Sequence, residues 1–199
     1  MLTFPMSWKE SFAFKAINVI AYVLFASSNT YASMTAKHIA GNVDTYITPA
    51  EWSYGVWHIL NVLLFGLIIY QFWLGTAQLT QYSLGWRFPT ALVLHALCTI
   101  LYAQENSTPI YCVAFITFCM VTTLVNQLHG ILRTNAEPLN WADVFFVFMP
   151  ISFYHGATIS AMATLAVLLL FRLACLRSPN TSKPQDLFTG RLCAYFYLC

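Results

Sequence analysis

Between Glu51 and Arg87 the chain carries no acidic or basic side chain apart from neutral His58, and that gap constrains the fold more than any motif. It is longer than one buried helix of a water-soluble domain requires. A helix crossing a bilayer needs about 20 consecutive apolar residues, because hydrocarbon offers the backbone no hydrogen-bond partner. Further uncharged stretches recur along the 199 residues, of which 59% are hydrophobic and 8% charged, so the chain reads as an all-α, polytopic membrane protein. A formal net charge of +2 supplies no cationic surface to neutralise a row of phosphates, which argues against nucleic acid as a partner. The partners expected are the lipid bilayer, a lipophilic small molecule and further copies of the chain.

The charged residues divide positions 1–172 into a five-transmembrane-helix bundle, with helices expected near 12–30, 52–74, 88–103, 108–132 and 144–171. Residues 173–199 form a polar tail expected to be disordered. Lys15 must snorkel from the first helix. Lys9 and Lys15 ahead of the apolar run from Ala16 to Ala26 also outline a secretory signal, so retention of this helix stays open. The third helix is short, which suits an upright helix or locally thinned lipid. Pro150 lies inside the fifth, where it removes a backbone hydrogen bond and is expected to kink the helix. Lys9, Lys15, Arg87 and Arg133 fall on one side, Lys37, Arg172, Arg177, Lys183 and Arg191 on the other, so the positive-inside rule leaves the orientation undecided. The expected location is a membrane, crossed several times, in an organelle the sequence does not name. Cys98, Cys112 and Cys119 lie within apolar runs and are read as small packing residues.

The groups able to do chemistry are few. Trp57, His58 and Asn61 make a polar and aromatic surface on the second helix, Asn126, Gln127 and His129 a similar cluster on the fourth, and Tyr154 and His155 add polar groups beside Pro150. In lipid such groups either join helices or line a cavity. Each of the last four helices holds one His: His58, His95, His129 and His155. At about 1.5 Å of rise per residue, His95 and His155 lie roughly 12 and 16 Å from one membrane face and could flank one haem. His129 lies roughly 3 Å from that same face and His58 about 9 Å from the opposite one, which excludes a second His pair. Gly156 and Ser160 sit at a spacing that admits another backbone, so with Pro150 they are read as a helix-packing face. No metal-ligand cluster, G-x-S-x-G, H-E-x-x-H or phosphate-binding loop occurs, and Glu51, Glu105, Glu137 and Asp143 all fall in connections. The expectation is a protein that is not an enzyme.

The segment Thr48-Pro49-Ala50-Glu51-Trp52-Ser53-Tyr54-Gly55-Val56-Trp57, which leads into an apolar helix ending Tyr70-Gln71, resembles the second-helix entrance of the tryptophan-rich sensory protein, or translocator protein, superfamily. Gly85-Trp86-Arg87-Phe88-Pro89 resembles the start of the third helix in its longer, bacterial and fungal branch. Met149-Pro150-Ile151-Ser152-Phe153-Tyr154-His155-Gly156 resembles the fifth-helix pattern. The likeness runs from about residue 15 to about residue 172. Ala157 stands where the family carries Trp, and His95 where it carries Asn. Members of that branch continue beyond the fifth helix, so the chain is expected to be shortened at its C-terminal end. The resemblance implies a five-helix bundle whose aromatic interior binds tetrapyrroles such as porphyrin or haem, or other lipophilic ligands. Tyr54 and Trp57 would then be pocket aromatics.

The sequence thus leaves three readings. The first is a bundle holding a lipophilic ring-shaped ligand, porphyrin or haem, against Tyr54, Trp57, His58, Asn61 and Tyr154. The second is a membrane scaffold or assembly protein without ligand, and the third a mono-haem membrane cytochrome using His95 and His155.

Overall fold

The computed structural model describes residues 8–39, 55–73, 84–103, 108–134 and 140–177. Helix α1 is Trp8–Ile39, α2 Gly55–Tyr70, α3 Arg87–Ala103 and α4 Thr108–Thr134. A short α-helical turn Trp141–Asp143, a π-helical stretch Val144–Phe148 and the helix Met149–Arg177 continue one another and are treated together as α5. No strand occurs among the described residues. The expected tail begins inside this last helix, and residues 178–199 lie outside the described part.

Phe12–Ala32, Cys112–Thr134 and Trp141–Ala163 are long and apolar enough to cross a membrane, while Val56–Tyr70 and Arg87–Leu101 are shorter apolar helices. At about 1.5 Å per residue, the 16 residues of α2 and the 17 of α3 reach roughly 24–26 Å, somewhat less than the ~30 Å of a typical hydrocarbon core. The shortfall is within what interfacial side chains and thinned lipid accommodate.

The helices pack as a ring in the order α1, α2, α5, α4, α3, with α3 closing back on α1. Each is apolar on both sides. On α2, Leu60, Leu64 and Leu67 recur at i, i+4 and i+7 and are fully buried, whereas Ile59, Val62, Phe65 and Ile69 face outward with half or more of their surface exposed. Ile20, Val23 and Leu24 on α1 and Val113, Ile116 and Met120 on α4 are exposed on the outer side as well. A helix that is hydrophobic all round belongs in a core or in lipid, and here the outer half has only lipid to meet. Hydroxyls inside the spans are satisfied locally: Thr99, Thr117 and Thr122 each donate to the carbonyl four residues earlier.

One end of the ring is defined by polar and aromatic anchors. Phe14 meets Trp86 edge to face at 5.6 Å, Arg87 Nε donates to Gln127 at 3.3 Å, and Tyr70 Oη donates to Asp143 at 2.7 Å. Hence the start of α1, the end of α2, the start of α3, the end of α4 and the start of α5 share this face. Exposed Trp73, Trp86 and Trp141 gather there, where an indole has one edge in lipid and another in water. Gly85 permits the tight entry into α3, since its φ of 47° lies in the left-handed region. Asp143, expected in a connection, is in the first turn of α5.

Pro150 is buried and follows the π-helical stretch with only Met149 between. It has no N–H to give to the carbonyl of Phe146, and its ring crowds that carbonyl. Widening the preceding turn, in which Met149 N–H donates to Val144 O, takes up the misfit.

Candidate functional site

His95 is the centre of the interior, and all five helices contribute a ring to it. From α3 its imidazole meets Phe25 of α1 at 4.9 Å, Trp57 of α2 at 5.5 Å, Phe118 of α4 at 5.6 Å and Tyr154 of α5 at 5.8 Å. The first three contacts are edge-to-face, which sets the positive edge of one ring on the negative face of another. His95 is 4% exposed and Tyr154 fully buried, and His95 Nδ1 shares a 3.0 Å hydrogen bond with the Tyr154 hydroxyl. That bond is what allows two polar groups in the centre of an apolar bundle.

On the α2 side this core opens into a polar wall. Trp57 and Asn61 lie one turn apart, and Asn61 Nδ2 donates to Trp57 O at 2.9 Å. Tyr22 of α1 donates its hydroxyl to Asn61 O at 3.1 Å. Trp57 Nε1 and Asn61 Oδ1 are buried without a protein partner. His58 is exposed on the far side of α2, and Tyr54 lies outside the described residues.

His129 and His155 form a separate cluster between α4 and α5. Their rings stack at 4.8 Å and 9°, His155 Nε2 donates to Asn126 Oδ1 at 3.1 Å, and His129 Nδ1 shares a 3.4 Å contact with Ser152 Oγ. Counting depth from the expected helix ends separates these two imidazoles by over 10 Å. The structure brings them together, so the end of α4 and the start of α5 do not lie at one level as the depth count assumes. His95 and His155 are not brought together: neighbouring helical positions diverge by about 100°, so Tyr154 faces His95 while His155 faces α4. Gly156 and Ser160 are exposed, and a Cβ on Gly156 would meet nothing within 4 Å. Ala157 is partly buried against the core. Among the described residues no group of three or more His, Cys, Asp or Glu could hold a metal ion.

Sequence reasoning had Trp57, His95 and Tyr154 in view but not as one cluster, and it missed Phe25 and Phe118, which carry no polar mark. It also missed a buried amide pair, Asn18 Nδ2 donating to Gln71 Oε1 at 2.9 Å. The available signal was the spacing of Asn18, Tyr22, Phe25 and Asn29 on one face of α1.

A family model described as TSPO-like protein matches residues 12–175, from the first turns of α1 to the last turns of α5. The chain belongs to the TSPO-like family. No curated protein and no solved structure matches it. Membership, together with the outward-facing apolar surface, establishes a multi-pass integral membrane protein embedded in a lipid bilayer. In this TSPO-like chain the five helices converge on an imidazole–phenol pair, with an aromatic and amide wall to one side.

Proposed function

We propose that this TSPO-like protein is a non-catalytic membrane receptor that holds a flat lipophilic ring, of the tetrapyrrole class, against the α2 wall of its bundle. The observation that carries this reading is Trp57: its indole is half-buried against His95, and its N–H is buried without a protein partner. A large planar ligand gains area by stacking on such a ring, and a few fixed polar groups then orient it. Asn61 is the adjacent polar group, and Tyr154 sets the His95 ring from behind. Porphyrin and haem share the planar surface this requires. Coordination of one haem iron by both His95 and His155 does not fit, since the two rings face different helices.

Titration of the detergent-solubilised protein with protoporphyrin tests the reading. Saturable quenching of Trp fluorescence is expected, with an affinity about 10-fold weaker in Trp57→Phe, equivalent to roughly 1.4 kcal/mol. Unchanged affinity in the variant refutes the assignment to this wall. The scaffold reading is favoured by polar groups that already satisfy one another, Asn18 with Gln71 and Asn126 with His155, and it predicts no saturable quenching at all.

A further inference from the structure

Among the described residues, the buried side-chain atoms without a protein partner are not scattered: Asn18 Oδ1, Asn29 Nδ2, Trp57 Nε1 and Asn61 Oδ1 all belong to α1 and α2. On α1, Asn18, Tyr22, Phe25 and Asn29 follow the i, i+4, i+7, i+11 spacing of one helical face. On α2 and the turn that follows it, Trp57, Asn61, Leu64, Ile68 and Gln71 do the same. Two bonds fix how these faces oppose each other: Asn18 to Gln71 near one membrane face, and Tyr22 to Asn61 O further in, one turn along α1 and nearly three turns along α2, a span the long Tyr22 side chain helps to bridge. Because α1 and α2 run antiparallel, Asn29 lies further along α1, and Trp57 further along α2, toward the other membrane face. The line begins where Gln71 Nε2 donates to Lys15 O at 3.4 Å.

Asn18 is 1% exposed, so its second polar atom is not turned to the outside. Two of the four atoms are acceptors and two are donors; the charged side chain nearest the line, Lys15, stands at its mouth with its ammonium over the Phe72 ring, 5.5 Å from the centroid. Hydrocarbon can pair with neither kind, and an ionic ligand would find no counter-charge beyond that mouth. A molecule that both donates and accepts, is small enough for a helix–helix seam and is neutral satisfies all four. The geometry points to a water-occupied polar file between α1 and α2, running inward from the Lys15 and Gln71 end past Asn61 and Trp57 to Asn29. Each water in it has several polar groups within its reach, including the Asn61 and Tyr22 groups already bonded, which is the environment buried water occupies. The file does not depend on tetrapyrrole binding, and either can fail without the other.

Thiol accessibility in the membrane tests it. Asn61→Cys and Ile59→Cys lie at nearly the same depth, the first on the seam and the second facing outward with 53% of its surface exposed. In proteoliposomes, the cysteine thiolate attacks the sulfenyl sulfur of a charged methanethiosulfonate reagent and expels methanesulfinate, and both the ionised thiol and the charged reagent need water at that position. Against the background of the unaltered protein, Asn61→Cys is expected to react at least 10-fold faster than Ile59→Cys. Equal rates overturn the file. A second measurement reads the unaltered seam: in 15N-indole-labelled parent protein, the Trp57 N–H signal, assigned by comparison with Trp57→Phe, is expected to exchange in D2O within minutes. Persistence of that signal for hours overturns the file as well.

Discussion

At the scale of single residues, the interior is held by polar pairs whose members cannot be removed one at a time. Tyr154→Phe keeps the ring and its packing but strands His95 Nδ1 in an apolar core. A loss of about 1–3 kcal/mol is expected, the penalty for a buried group left unpaired, read as a lower midpoint of thermal unfolding in detergent. Gln71→Leu strands the Asn18 amide in the same way and is expected to cost a similar amount. Replacing both residues by Leu removes the polar groups together and is expected to restore most of the loss, so the double-mutant cycle should show coupling of about 1 kcal/mol or more. Additive effects of the two changes refute the pairing.

At the scale of elements, α5 shows how one proline sets the register of a helix. The wide turn before Pro150 adds a residue between Asp143, which accepts from Tyr70, and the core positions Ile151 and Tyr154. Phe146 in that turn stacks on Tyr70 at 5.1 Å and lies over Gly66, where a Cβ would meet its ring at 3.3 Å. Pro150→Ala returns the N–H and lets the turn tighten to α-helical geometry, rotating Asp143 by about 100° relative to the core residues. Tyr70→Phe is therefore expected to cost about 0.5–1.5 kcal/mol in the parent, the usual net worth of one hydrogen bond, and nothing in the Pro150→Ala background. An equal cost in both backgrounds shows that the proline does not set this register.

At the scale of the whole molecule, five helices turn their larger apolar side chains both inward and outward, and only a bilayer covers the outer set. The protein is expected to remain in the pellet after alkaline carbonate extraction of membranes; recovery in the supernatant refutes the membrane reading of the outer surface. The shared end formed by the starts of α1, α3 and α5 also fixes sidedness. A protease site placed in 135–139 is expected to be cut from the same side of sealed vesicles as one placed ahead of Trp8, and from the side opposite to one placed in 40–54. Cleavage of all three from one side contradicts the antiparallel order. Much of this architecture was legible in the sequence, because the charge gaps mark where a chain can enter lipid, and because the Tyr54 to Trp57, Gly85 to Pro89 and Met149 to Gly156 segments resemble the family the chain belongs to. The site was legible only in part. Trp57, His95 and Tyr154 stand out by type, whereas Phe25 and Phe118 differ in no visible way from the apolar residues around them.

The linear chain, then, determined its solvent: uncharged runs of the length of a bilayer core and an apolar composition admit few media other than lipid, since each helix satisfies its own backbone wherever it lies. The arrangement of the helices decided the rest. Which imidazole meets which phenol, which histidines stack, and which amide atoms are left facing one another across α1 and α2 depend on rotation and offset between helices. Those offsets are set by close packing across the whole ring and by the wide turn at Pro150, and neither quantity is encoded in any single span.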